Sequence, residues 1–280
     1  MSDPESQFAS AREARSPAWI VSAVEAKALL QQGATLLDAR PHPQARPLPG
    51  ARVVRWQEFS QTASGQRGEL LTDDDVLTAR LRELGVRGDR PVIVVGDPRR
   101  DWGEDGRIVW MLRSLGHPQA VLVDGGYAAL TATDRPQNLP VATPGDFTIA
   151  RQADWSISQT EVRARLTQPG VVLLDTREAR EYRGATPYGE QRGGHLPGAE
   201  HLYFQDLLAD NGKLLPRDQI AVQLAQRGIT AATEIVVYCT GGVRSAWLAV
   251  VLADLGYTVR NYAGSTWQWS AAPADSHPLE

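Results

Sequence analysis

One string of residues occurs twice in this chain, and its recurrence constrains the fold more than any other feature. Leu36-Leu37-Asp38-Ala39-Arg40 returns 137 positions later as Leu173-Leu174-Asp175-Thr176-Arg177, and Leu48-Pro49-Gly50-Ala51 returns as Leu196-Pro197-Gly198-Ala199. The order of features is kept further on. Val92-Ile93-Val94-Val95 answers Ile235-Val236-Val237-Tyr238, Leu115-Gly116 answers Leu255-Gly256, and Gly125-Gly126 answers Ala263-Gly264. Ser22 with Glu25 and Ser158 with Glu161 both fit a capping box, in which the serine oxygen takes the amide three residues on and the glutamate reaches back. Solenoid units run to roughly 20–50 residues, so a period of 137 means a tandem duplication of one domain.

Within each copy, short β-branched runs alternate with amphipathic windows, the pattern of βα units feeding a parallel sheet. Strands are expected at Thr35 to Asp38, Val92 to Val95, Val121 to Val123, Val171 to Asp175 and Ile235 to Tyr238, with helical windows at Ile108 to Leu115 and Arg244 to Leu255. Turn formers at Thr133, Pro136, Pro140, Pro144 and Gly145 mark the seam. The expected division is residues 1–140, a linker over 141–155, and 156–280, with the stretch up to Ser16 either disordered or a partner contact.

Composition excludes several classes of partner. Hydrophobic residues at 42% and charged residues at 22% suit a folded soluble domain pair. With 29 basic against 33 acidic residues there is no surplus of positive charge to neutralise a nucleic acid or an anionic bilayer. Every apolar run is cut well short of the roughly 18–20 residues that cross a membrane. Cys239 is the single cysteine and has no disulfide partner in the chain, and no leader-like pattern opens the sequence, so a cytoplasmic protein is expected.

Chemistry concentrates in the second copy, where the strand ending at Tyr238 runs into Cys239-Thr240-Gly241-Gly242-Val243-Arg244-Ser245 and then a helical window. Paired glycines permit a tight loop whose amides face inward beside the positive end of a helix, a setting for an anion. A lone strand-end cysteine also reads as a small buried hydrophobe. A core cysteine, however, needs neither the glycines nor the arginine. Lowering a thiol pKa by about 2 units takes about 2.7 kcal/mol, the order that loop amides, a helix start and Arg244 supply together. In the first copy the corresponding place is taken as Asp97, which cannot act as a sulfur nucleophile.

These features together resemble the two-domain rhodaneses, the family of thiosulfate and 3-mercaptopyruvate sulfurtransferases. The resemblance covers nearly the whole chain. It rests on Leu-Leu-Asp-x-Arg in both halves, Gly194-His195-Leu196-Pro197-Gly198-Ala199, the Cys239 loop, and Asn261-Tyr262-x-Gly264-Ser265-x-Trp267 closing the second half. It implies an α/β fold with a mainly parallel five-stranded sheet in each domain, an inactive first domain, and a site opening toward the domain interface. It further implies a ping-pong cycle: Cys239 attacks the outer sulfur of an anionic donor, and its persulfide, held by the amides of residues 240–245, passes sulfur to cyanide or a thiol. No metal and no organic cofactor are expected.

Phosphatases and arsenate reductases of related shape place five residues between cysteine and arginine; here there are four, and sulfur is the better fit. For the donor, the resemblance points two ways. Mercaptopyruvate enzymes usually carry a neutral loop and an arginine six residues after the strand-end aspartate, where this chain has Glu181; Arg244 puts a positive charge in the loop and favours thiosulfate. Arg180, Arg183 or Arg192 are candidates to replace the missing clamp, which keeps 3-mercaptopyruvate as the alternative. A persulfide carrier serving a sulfur-accepting protein, and a phosphatase-like or regulatory module, are the other classes.

Asp175, Arg177 and His195 are expected in supporting structural roles, as are Asp38 and Arg40. Trp247, Trp267 and Trp269 are expected to pack the second core or wall the cleft, Trp102 and Trp110 to do the same from the first domain, and Arg99-Arg100 to form a solvated loop that can face the cleft.

Overall fold

The computed structural model describes residues 18–41, 47, 48, 50–132, 136 and 143–280. In the first unit the chain runs β1 Ile20–Val21, α1 Ala23–Gln31, β2 Thr35–Asp38, β3 Arg52–Val53, α2 Asp74–Glu83, β4 Val92–Val95, α3 Glu104–Ser114, β5 Ala120–Val123 and α4 Gly126–Thr131. The second unit follows with α5 Gln159–Arg165, β6 Val171–Asp175, α6 Ala179–Tyr182, β7 Glu200–His201, α7 Arg217–Ala225, β8 Glu234–Tyr238, α8 Val243–Asp254, β9 Thr258–Asn261 and α9 Ser265–Ala271. Both capping boxes form, at Ser22 with Glu25 and at Ser158 with Glu161.

All the strand pairings within the two sheets are parallel, in the order β1-β5-β4-β2-β3 and β7-β6-β8-β9. The central strands β4 and β8 read as continuous apolar runs because helices cover both faces. The second sheet has four strands rather than the expected five. Where β1 stands in the first unit, the second has a single parallel bridge, Ser156 to Asn261. A 3₁₀ turn at Ala153–Trp155 runs up to this point and Ser158 already caps α5, so little extended chain is left to pair.

The first 16 residues, Pro49 and most of the expected seam from Thr133 to Pro140 lie outside the described residues, as do 141 and 142. From residue 143 onward the chain lies along the first unit. The Gly145 amide donates to Arg82 O at 2.7 Å, the Gln152 amide donates to Ser114 O at 2.8 Å, and Phe147 is buried. No helix among the described residues is long and apolar enough to cross a membrane.

The two units meet through α3 and α8. Every residue of α3 is buried, as is α8 from Val243 to Leu252, and one hydrophobic cluster runs through both units. Contact is made at backbone distance, because a Cβ added at Gly106 would lie 2.4 Å from Trp247 Cα. This packing sets the carboxyl edge of β8 facing the first unit, and ligands of parallel α/β sheets bind outside that edge.

Candidate active site

Cys239 follows directly on β8 and is 1% exposed. Its own amide donates to Ser265 Oγ at 3.0 Å, which fixes the point where the chain leaves the sheet. Gly242 then takes a left-handed conformation, φ 77°, as the cap of α8. A side chain there would also be blocked, since its Cβ would lie 2.4 Å from Ala263 O. The turn aims the Gly242 amide at Cys239 Sγ, 3.1 Å away, and the Ser245 hydroxyl donates to the same sulfur at 3.5 Å. Burial pushes the thiol pKa up, but the Arg244 guanidinium, the Ser245 hydroxyl and amide and the Gly241 amide outweigh it and hold it below the ordinary value. The loop therefore favours an anion on sulfur.

Arg244 is not the open cation that the loop spacing suggests. Both its Nη atoms meet the Glu181 carboxylate, at 2.6 and 2.7 Å, and Nη2 also donates to Thr240 Oγ1 at 2.6 Å. The Thr240 hydroxyl in turn donates to Glu181 Oε1 at 2.7 Å. Glu181 is fully buried, which by itself would raise its pKa; the two-point contact with Arg244 lowers it instead. The residue that displaces the expected arginine clamp is thus the partner of the loop arginine.

Above the sulfur opens a cavity of about 370 Å³. Its floor is Cys239, Thr240, Gly241, Val243 and Arg244, and its walls come from both units: Trp56 and Trp102 from the first, Tyr188 and Trp267 from the second. The Trp102 and Tyr188 rings meet edge to face at 5.5 Å, and the Trp267 indole donates to Tyr188 O at 2.9 Å. Trp267 and Trp102 therefore wall the cleft, whereas Trp247, Trp269 and Trp110 are core. Arg100 and Glu104 also line it; burial pushes the Glu104 carboxyl up to about 8.

The remaining sequence candidates lie apart from the sulfur. Asp175 and Arg177 form a buried pair, Nε to Oδ1 at 2.9 Å, and Arg177 Nη2 donates to Gly194 O at 2.8 Å, tying β6 to the Gly194 turn. Asp38 and Arg40 repeat the same pair in the first unit, Nε to Oδ1 at 2.9 Å. His195 stacks on Tyr182 at 3.8 Å and exchanges backbone hydrogen bonds with Glu280. Among the described residues, neither Arg180, Arg183 nor Arg192 lines the cavity. Arg180 is exposed and bonded to Glu178, Arg183 is exposed, and Arg192 donates to four carbonyls of the C-terminal segment. Arg99 turns to Asp210 at 3.7 Å.

Strand register also corrects the matching of the two copies. Asp38 pairs with Val95 as Asp175 pairs with Tyr238, so the residue standing where Cys239 stands is Gly96, not Asp97. The longer loop of the first unit, which reaches its own left-handed cap only at Gly103, hid this in the sequence. Trp56, Tyr188 and Glu104 were not legible as site residues either, because none carries a local motif, and Glu181 was legible only as the residue at the clamp position, not as the partner of Arg244.

A strand-end thiol under loop amides is thus set in one copy of a duplicated parallel α/β domain and walled by the other. The rhodanese-like domain model matches residues 22–133 and again 158–272. The chain is 31% identical over 232 residues to a thiosulfate sulfurtransferase of Azotobacter vinelandii, covering 81% of this chain and 83% of that one. It is 33% identical over 212 residues to a probable 3-mercaptopyruvate sulfurtransferase of Pseudomonas aeruginosa, covering 72% of each. In fold it resembles the 3-mercaptopyruvate sulfurtransferase SseA from Escherichia coli, with a TM-score of 0.73 at 23% identity over 89% of this chain and 98% of that one. The chain belongs to the rhodanese family, as a tandem of two rhodanese domains, with thiosulfate and 3-mercaptopyruvate sulfurtransferases among its relatives.

Proposed function

We propose that this chain is a sulfurtransferase that moves sulfane sulfur from thiosulfate, through a persulfide on Cys239, to cyanide or a thiol. One observation carries the reading: the only thiol of the chain lies at the base of an interdomain cavity with an amide 3.1 Å from its sulfur. The thiolate attacks the outer sulfur of thiosulfate, a new S–S bond forms, and the bond to the sulfonate sulfur breaks, with sulfite leaving on the electron pair. The terminal persulfide sulfur carries the negative charge that the loop amides stabilise. Cyanide then attacks that sulfur, thiocyanate departs, and the Cys239 thiolate is regenerated. The first domain, lacking a cysteine, supplies cavity walls rather than chemistry.

Thiosulfate is favoured over 3-mercaptopyruvate because the arginine that the mercaptopyruvate enzymes place six residues after the strand-end aspartate is absent here. Glu181 occupies the clamp position, and Arg180, Arg183 and Arg192 are engaged or exposed elsewhere. The unpaired cysteine supports a reducing, cytoplasmic setting. The test is thiocyanate formation from cyanide with each donor, wild type against Cys239→Ser. Thiosulfate-dependent turnover that requires Cys239 supports the proposal. A preference for 3-mercaptopyruvate transfers it to that donor, and silence with both, despite sulfur loading on Cys239, makes the chain a carrier for a protein acceptor.

A further inference from the structure

We propose that Arg107, a residue of the domain without a cysteine, is the positioning residue that locks the sulfur loop in place and adds a second positive field to that of Arg244 at the Cys239 sulfur. Arg107 sits on α3, is 1% exposed, and reaches across the domain interface. Its Nη1 donates to Gly242 O at 3.1 Å, and Nη2 donates to Ser60 Oγ at 3.0 Å and to Gly68 O at 2.6 Å. Gly242 is the residue whose amide points at the sulfur, so one guanidinium holds the carbonyl side of the peptide unit that follows the thiol's chief donor.

Every one of these acceptors is uncharged. A guanidinium buried without a carboxylate is expensive, and this one sits only among carbonyls, a hydroxyl and the rings of Trp110 at 4.6 Å and Trp56 at 5.7 Å. Burial brings its pKa down to about 9, and attraction to Cys239 works in the opposite direction. Of the other cations near the loop, Arg244 is paired with Glu181 and Arg177 with Asp175, Arg100 at the cavity wall meets Asp97 at 3.8 Å, and Arg67 stacks on Trp267 at 3.6 Å. Of the acids facing the region, burial pushes Glu104 up to about 8 and Asp105 up to about 7, Asp101 lines the cavity, Glu69 meets Gln268 at 2.9 Å, and Glu190 faces Thr240 at 3.4 Å. Arg107 thus brings a buried guanidinium with only uncharged hydrogen-bond acceptors onto the sulfur loop, where its positive field adds to that of Arg244. The residues that bond Arg107 are Ser60 and Gly68 on one side and Gly242 on the other, so the first domain becomes part of the sulfur site.

This role rests on Cys239 being the sulfur-bearing thiolate, and its test reads the thiolate rather than turnover. The rate of iodoacetamide alkylation of Cys239 is followed against pH in wild type, Arg107→Lys and Arg107→Met. In Arg107→Met the midpoint should rise by about one unit, which cuts the alkylation rate about tenfold at pH values below the wild-type midpoint, while Arg107→Lys should keep most of the wild-type midpoint. A cooperatively folded Arg107→Met with an unchanged midpoint overturns the proposal, because a purely structural role would lower only the melting temperature. Should Arg107→Met not fold, the Ser60→Ala/Arg107→Met double variant removes one stranded partner. Independently of any Arg107 variant, the Arg107 Nε–H signal of the full chain should move with the Cys239 midpoint and stay fixed in Cys239→Ser; a signal that does not move overturns the proposal. A raised midpoint in a chain that shows no sulfur transfer leaves the Arg107 role standing and sinks the proposed function, while turnover with an unchanged midpoint does the reverse.

Discussion

Glu181 and Arg244 meet at two points, Nη1 to Oε2 at 2.6 Å and Nη2 to Oε1 at 2.7 Å, with both side chains shut off from solvent. Each residue alone suggests something about the donor: a missing clamp at Glu181, a free cation at Arg244. Joined, they cancel, and what reaches the cavity is a short, rigid, nearly neutral strut beneath Thr240. Donor recognition then falls to the loop amides, the aromatic walls and Arg100 in the cavity lining.

Removing one partner should cost far more than removing both. Arg244→Met leaves a buried carboxylate unpaired and should destabilise the chain by about 3–5 kcal/mol in urea unfolding, with the Cys239 thiol pKa rising. Glu181→Met/Arg244→Met should recover most of that stability. A double variant as unstable as the single would show that the pair is not the unit.

Cys239 should be alkylated with a pH midpoint below that of an ordinary cysteine, since Arg244 and the loop donors outweigh burial. Activity should accordingly rise with pH through that lower midpoint and then level off. Cys239→Ser should lose transfer entirely while its melting temperature shifts little, because sulfur to oxygen is a small change in volume. A midpoint at the value of free cysteine would remove the loop from its role.

Glu104 gives the stability a defined pH slope. Burial raises its carboxyl from 4.5 to about 8, so between those values the native state keeps a proton that the unfolded chain has released. Stability contributed by this group is present at acidic pH and is lost as pH rises through that window. Glu104→Gln should therefore melt higher than wild type at pH 8, by on the order of 2–4 kcal/mol, and match it near pH 4. Thermal unfolding across pH 4–8.5 checks the convergence; a gap independent of pH would contradict it.

Gly106→Val should prise the domains apart, since even a Cβ at this position would come within 2.4 Å of Trp247 Cα. A loss of about 1–3 kcal/mol or more is expected, with the calorimetric transition broader than that of wild type, or split, as the two domains uncouple. An unchanged transition would mean the helices slide without cost.

Local signals were legible in the sequence. The duplication, the capping boxes at Ser22 and Ser158, strands such as Val92–Val95 and Val171–Asp175, and the turn from Tyr238 into Cys239 are all written in neighbouring residues. Hydrogen bonding, side-chain alternation and glycine conformation act over a few positions, so they survive being read one segment at a time. The rest depended on residues far apart in the chain. Arg107 meets Gly242 across 135 positions and Arg244 meets Glu181 across 63, and whether an arginine is open, paired or holding a loop is decided by such encounters. The loop spacing put Arg244 beside the sulfur; only the packing of α3 on α8 brought a second guanidinium, Arg107, onto the loop at Gly242 O, because that contact joins residues which the fold alone brings together.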